Sequence, residues 1–387
     1  MIAALASALA GVWWNVVGLG AQATAPPART PEVLWHRDER GWGQPALDGE
    51  TVYFLTHDHH VLAVAAASGR TIWQQPTGEP GASTLGSSLV VAGRMVVAGD
   101  YNLVAFDRGT GQPRWRFAPV VGHAPGIFLG GEAGGLIFAG SGAGRLHAVR
   151  TSTGEGVWSV AVAPSSAATV FAPATDGVTV FAGYTVFGSP ATGGVVAVEA
   201  RTGRLLWRTP FAPAADPGLG TGVAGGPLLV DDVVVVTRGD GDIHGLDRRT
   251  GRLRWTLPSI DVLPPVVRPP GGIDDPATSP DVRPLVRSGS LLIAGSLKGH
   301  VIAWDLRSQE ERWRFFDRSL GSVVSGLSAD ADSVYVPFGA GRQVALWATT
   351  GRERWRTESG VSYFWPAVSD GRRLFMGGRG GLHAVRH

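Results

Sequence analysis

The 387-residue chain contains no cysteine, one lysine (Lys298) and three methionines. Without cysteine there can be no disulfide framework, Cys-ligated zinc, iron–sulfur cluster, c-type haem attachment or thiol nucleophile. The near absence of lysine leaves positive charge to arginine, which is spread along the chain with no basic run. The 34 basic and 32 acidic residues give a net charge of +2. Nucleic-acid binding needs a concentrated cationic patch, and none is present. There is also no glycine-rich loop opening a helix, no nucleophile elbow and no His/Asp/Ser constellation.

The chain is instead rich in turn formers and tryptophan: 56 Gly, 26 Pro and 14 Trp, with 44% hydrophobic residues. That mixture suits many short strands joined by tight turns. The first charged side chain is Arg29. Residues 1–23 read as a signal peptide or membrane anchor, with Ala21-Gln22-Ala23 fitting a small-x-small cleavage pattern, and residues 24–29 read as a linker. A secreted, periplasmic or cell-surface location follows, with a membrane tether through residues 1–23 as one form of it.

From Arg29 onward the sequence repeats. Leu103-Val-Ala-Phe-Asp107-Arg-Gly-Thr110-Gly111-Gln-Pro-Arg-Trp115 returns as Val195 to Trp207, Ile243 to Trp255 and Gln343 to Trp355. Looser copies end at Trp73, Trp158 and Trp313, and successive Trp positions lie 42 to 58 residues apart. This is the period of a propeller blade. Each unit reads as two β-branched runs around a Gly/Asp turn, then an Asp-x-x-Thr-Gly reversal, then a strand carrying the Trp. Upstream, Pro45, Pro173, Pro227, Pro284 and Pro366 mark another strand. Proline lacks a ladder donor, so that strand should be the edge lining a central channel.

The chain ends on the third strand of a unit, Gly381 to His387, with no Trp strand after it. The missing piece is at the other end, where Thr30-Pro31-Glu-Val-Leu-Trp35 aligns with Thr202-Gly203-Arg-Leu-Leu-Trp207. Residues 30–36 therefore complete an eighth four-stranded antiparallel blade. The expected fold is all-β: a single, monomeric eight-bladed propeller over residues 30–387, closed so that no blade is left open.

The Ala-x-Asp-x-x-Thr-Gly-x-x-x-Trp phrase resembles the tryptophan-docking motif of the pyrroloquinoline-quinone (PQQ) repeat propellers. That family includes quinoprotein dehydrogenases and the scaffold lipoprotein of the outer-membrane β-barrel assembly machinery. The resemblance implies that Trp35, Trp73, Trp115, Trp158, Trp207, Trp255, Trp313 and Trp355 each dock on a neighbouring blade. Two departures are local: Gln309 replaces a turn glycine, and Trp347 takes a usual Asp position. For the enzymes the resemblance also implies a quinone held against a disulfide of adjacent cysteines, a Ca²⁺ ion and an Asp base. This chain has no Cys and no match to those motifs, and fold alone does not carry activity. The expectation is a non-catalytic binding or scaffold propeller without a cofactor or metal, whose partner is a protein or an extracellular ligand and not nucleic acid. A quinone-dependent redox enzyme and a sensor domain related to membrane kinases are the alternatives.

Binding is expected on the face with the longest connections, Leu257 to Arg283 and Tyr184 to Gly194. At the channel mouth on that face, Trp42, Gln44, Arg283, Tyr363, Phe364 and Trp365 form the candidate contact set. His57-Asp58-His59-His60 has ligand-type residues, but it aligns with middle-strand turns at Gly99 to Asn102 and Gly239 to Asp242, and reads as a turn. His147, His244 and His383 share one strand position among apolar neighbours and read as structural.

Overall fold

In the computed structural model the described residues are 29–78, 88–99, 101–119, 126–188, 190–214, 220–223, 225–258, 285–323, 325–339, 341–357 and 365–386. They form eight antiparallel sheets with no helix among them. In chain order, blades 1 to 7 span residues 46–76, 88–117, 127–161, 168–210, 228–257, 286–316 and 328–356. Blade 8 combines 368–386 with 32–37.

Blade 1 shows the common plan: inner strand Ala46–Asp48, middle strands Thr51–Leu55 and His60–Ala65, outer strand Thr71–Pro76. The inner strands of blades 1 and 5 begin immediately after Pro45 and Pro227, and the second segment of that of blade 4 immediately after Pro173, where a missing N–H is harmless on a channel-side edge. Blade 4 departs from the plan. Its inner strand is split into Ala168–Val170 and Ala174–Thr175, and its middle strands are eight residues long, Thr179–Val186 and Thr192–Glu199. Much of the Tyr184 to Gly194 insertion is therefore strand, which lengthens the hairpin instead of adding an irregular loop.

Because each blade is an up-down meander, its connections fall on two faces. The turn face carries the inner-to-middle turns, such as Asp48-Gly49, and the Thr-Gly turns. The loop face carries the middle-hairpin turns and the connections between blades. The ring closes as expected: Glu32–Arg37 pairs antiparallel with Gly381–Arg386, with Trp35 opposite Ala384.

The core lies between blades. Its hydrophobic clusters each span two neighbours; one, for example, joins Tyr53, Val61 and Trp73 of blade 1 to Val96, Val104 and Phe106 of blade 2. The docking tryptophans complete these layers. Trp73 lies so close to Gly111 of the next blade that a methyl group there would come within 2.6 Å of the indole, and Gly111 has a φ of +73°. The same fit joins Trp35 to Gly69, Trp115 to Gly154, Trp158 to Gly203, Trp207 to Gly251 and Trp313 to Gly351. The indole N–H also crosses the interface, donating from Trp35 to the Ala66 carbonyl at 2.9 Å and from Trp313 to that of Ala348 at 2.8 Å. Gln309 adopts φ +61° in place of the turn glycine of blade 6.

One recurring device has no sequence motif of its own. In every blade the register slips by one residue next to the Trp: Trp73 sits opposite Ala63, yet Thr71 sits opposite Val64, leaving Ile72 extra. The same bulge occurs at Leu34, Arg114, Val157, Leu206, Arg254, Arg312 and Arg354. A bulge increases local twist, which swings the indole toward the following blade. The residue facing each Trp is Ala, or Gly245 in blade 5, where a Cβ would come within 2.1 Å of Trp255.

At the seam between blades 7 and 8, Trp355 is buried and its Nε1 has no partner among the described residues. The repeat register puts the equivalent carbonyl on His387, which lies outside them. The seam is also joined through main chain. Arg29 pairs in parallel with Trp355, and its carbonyl accepts the Arg356 N–H at 3.2 Å.

Candidate functional site

The loop face at blades 8 and 1 is built on close backbone approach. Gly41 donates its N–H to the Gly378 carbonyl at 2.9 Å, and a Cβ at Gly41 would come within 2.8 Å of the Gly377 Cα. This contact fixes Trp42, whose own N–H donates to the Leu55 carbonyl at 2.7 Å. Gly43 then turns the chain at φ +87°, and Gln44 pairs in parallel with Ser88 of blade 2.

Two members of the expected contact set meet directly. The rings of Trp42 and Trp365 are 5.5 Å apart and tilted by 60°. Gln44 is exposed beside them, its Nε2 making a long 3.5 Å contact to the Ala367 carbonyl of blade 8. Arg283, Tyr363 and Phe364 lie outside the described residues. His57 is an addition that the sequence did not suggest: it meets Trp42 edge-to-face at 5.1 Å. Its backbone N–H donates to the Arg40 carbonyl at 2.8 Å, which holds the hairpin turn against the entry to the inner strand.

The remaining residues of the His57 turn have separate partners. His60 Nδ1 faces the Asp58 carbonyl at 3.0 Å, Asp58 accepts a bond from the Thr56 hydroxyl, and His59 has φ +61°. Among the described residues no three His, Asp or Glu side chains converge as a metal-binding group.

A second aromatic pair lies part-way round the mouth, where Phe128 of blade 3 meets Phe171 of blade 4 at 5.3 Å. Next to it, blade 5 buries an ion pair in its middle-hairpin turn. Arg238 is bonded to Asp240, donates to the Ala212 carbonyl at 3.2 Å and lies 5.5 Å over the Phe211 ring. Burial pushes the Asp240 carboxyl up, and Arg238 opposes that shift. Asp240 belongs to the Gly239-Asp-Gly-Asp242 turn, and its carboxylate is used within the fold. The three histidines at the shared strand position sit close under this face. His147, His244 and His383 are each driven down to about 4, chiefly by burial.

The residues present do not fit a quinone site of the dehydrogenase kind. A disulfide of adjacent cysteines is impossible. Among the described residues, three of the loop-face carboxylates, Asp58, Asp240 and Asp317, are held by Thr56 and His60, by Arg238, and by Ser319 and Arg356 respectively.

Eight Trp-docked blades closed by the N-terminal strand define an eight-bladed propeller of PQQ-type repeats. The chain belongs to the family described as outer membrane protein assembly factor BamB, whose model matches residues 4–118, 99–357 and 297–386. It is 24% identical over 288 residues to the outer membrane protein assembly factor BamB of Shewanella oneidensis, covering 71% of this chain and 60% of that one. The chain thus spans less than two thirds of that relative's length. It is 27% identical over 180 residues to the dehydrogenase subunit of a quinone alcohol dehydrogenase from Gluconacetobacter polyoxogenes, covering 44% of this chain and 22% of that one. Among solved structures, BamB from Moraxella catarrhalis superposes with a TM-score of 0.65 at 18% identity, covering 92% of this chain and all of that one.

Proposed function

We propose that this chain is a non-catalytic, extracytoplasmic propeller that binds another protein through its loop face, in the service of outer membrane protein assembly. The observation that carries the reading is the mouth formed by Trp42, Trp365 and His57. Two half-buried indoles stand at the channel entrance beside an exposed amide. Large, stiff aromatic side chains in such positions are the usual anchors of protein–protein recognition. The family supports the role by its name, and the misfit of the quinone site argues against the dehydrogenase reading. Residues 1–23 act as export signal or anchor, placing the ring outside the cytoplasm.

The test is capture of partners from a detergent-solubilised envelope, using the full chain as bait beside a Trp42→Ala/Trp365→Ala variant of equal thermal stability. Recovery of outer-membrane assembly proteins by the parent, and their loss with the variant, is the expected result. Identical partner sets would sink the mouth as the recognition site. Dye reduction with an alcohol after addition of PQQ and Ca²⁺ would overturn the non-catalytic reading.

A further inference from the structure

We propose that the turn face at blades 7 and 8 docks on the surface of a lipid bilayer, with the loop face and its aromatic mouth turned away from it. The inference rests on reading residues 1–23 as a retained anchor. Its first support is the place of Arg29 in the ring. Arg29 occupies the place of the Thr-Gly turn in blade 8, on the turn face, and is fastened to the outer strand of blade 7 through Trp355 and Arg356. Residues 1–28 contain no charged side chain, and only residues 24–28, which include Pro26 and Pro27, separate Ala23 from Arg29. Five residues span at most about 18 Å, and proline stiffens them. An anchor ending near Ala23 therefore keeps this rim close to the membrane surface and leaves the opposite face the farther one.

The second support is independent and lies on the same rim. At the end of the third strand, blades 2, 4, 5 and 6 carry Asp107, Glu199, Asp247 and Asp305; blade 7 carries Trp347. That indole is 41% exposed, with the Arg354 guanidinium 4.4 Å from its ring centre, and Arg352 is exposed on the adjoining turn. Trp347 takes no part in the docking of blades, which falls to Trp355. An exposed indole beside arginines suits the headgroup layer, where the ring meets acyl carbon and the cations meet phosphate.

The cysteine-free sequence makes the test direct, because a thiol-reactive fluorophore reacts only at an introduced site. The full chain is reconstituted into vesicles of phosphatidylcholine and phosphatidylglycerol that also carry a nitroxide-labelled lipid, with the fluorophore on Arg352→Cys or on Phe187→Cys. Phe187 is 64% exposed at the tip of the blade 4 hairpin on the loop face. Quenching at position 352 is expected to exceed that at 187 by about threefold, and adding Trp347→Ser should roughly halve it without changing flotation of the chain. Equal quenching, or more at 187, in chain that floats with the vesicles overturns the orientation. Unchanged quenching at 352 in the Trp347→Ser chain removes Trp347 from the contact. A chain that does not float overturns the anchored reading instead, and the docking with it. Quenching at 352 that needs added envelope protein makes the patch a protein interface and likewise overturns the proposal.

Discussion

The two faces of the ring are made by the same repeat under different constraints. On the turn face the repeat dictates almost every position. The Thr-Gly turns are pinned by indoles, and the turns are tied across blades by ion pairs: Arg108 to Asp48 at 2.9 Å, Arg287 to Asp231 at 3.2 Å and Arg373 to Glu50 at 3.1 Å. On the loop face the described residues of the mouth differ between blades. Blades 8 and 1 have indoles and an imidazole, blades 3 and 4 a phenylalanine pair, and blade 5 a buried ion pair. Periodicity thus serves assembly on one face, while the other is free to vary, which the proposed recognition requires.

The largest expected effect breaks this contrast at its root. Trp313→Ala removes an indole that is buried at the blade 6–7 interface. Urea unfolding should show a loss of about 3–5 kcal/mol, as is usual for deleting a buried Trp. Trp42→Ala, on the loop face, should cost about 1 kcal/mol or less while weakening partner capture, because it is not a docking residue. Equal losses would mean that the mouth aromatics are structural.

Acid should separate the faces next. His147, His244 and His383 have an ordinary value of 6.5 and a folded value of about 4. Protons therefore bind the unfolded chain first, and stability that is complete above pH 6.5 is lost as pH falls toward 4. The loss is at most about 3 kcal/mol per histidine. On the turn face, hydrogen bonds from Arg114 and Thr110 hold the Asp107 carboxyl down to about 2 from 3.8. Its contribution is present above 3.8 and fades only as pH falls through about 2. Replacing the three histidines by Leu, the residue that blade 1 carries there as Leu62, should flatten the upper limb of a stability–pH curve and leave the lower one. A curve with its upper limb unchanged would assign acid sensitivity to other groups.

The smallest effects test how firmly the turn face is specified. Gln309→Gly relieves a positive φ and should raise the urea midpoint by the equivalent of about 1 kcal/mol. Arg108→Ala removes a half-exposed ion pair and should change stability by less than about 1 kcal/mol, less again in high salt. A much larger loss would show that the lacing carries stability in its own right.

The legibility of the sequence follows the same division. Thr-Gly and Trp recur because each blade presents the same slot, so the blades and their closure by residues 30–36 could be read from spacing, and the docking of the tryptophans from the family resemblance. The bulge beside each Trp could not, since it arises from main-chain pairing and places no demand on side chain: Ile72, Arg114 and Leu206 occupy it equally well. At the mouth, Trp42 and Trp365 stood out as aromatics next to inner strands. His57 did not, because its neighbours in sequence suggested a ligand cluster while its neighbour in space is Trp42. Phe128 and Phe171 are 43 positions apart, and the meeting of two particular rings is set by the split inner strand of blade 4, which has no repeat signature.

Closure by the first strand also fixes a temporal order. Glu32–Arg37 is made early, and its partner Gly381–Arg386 more than 340 residues later. Blades 1 to 7 can form in succession as they emerge, each leaning on the one before, but the first blade keeps an uncovered flank until the last segment arrives. The ring therefore shuts in a single final event, and until then the nascent protein carries an open hydrophobic side that calls for protection.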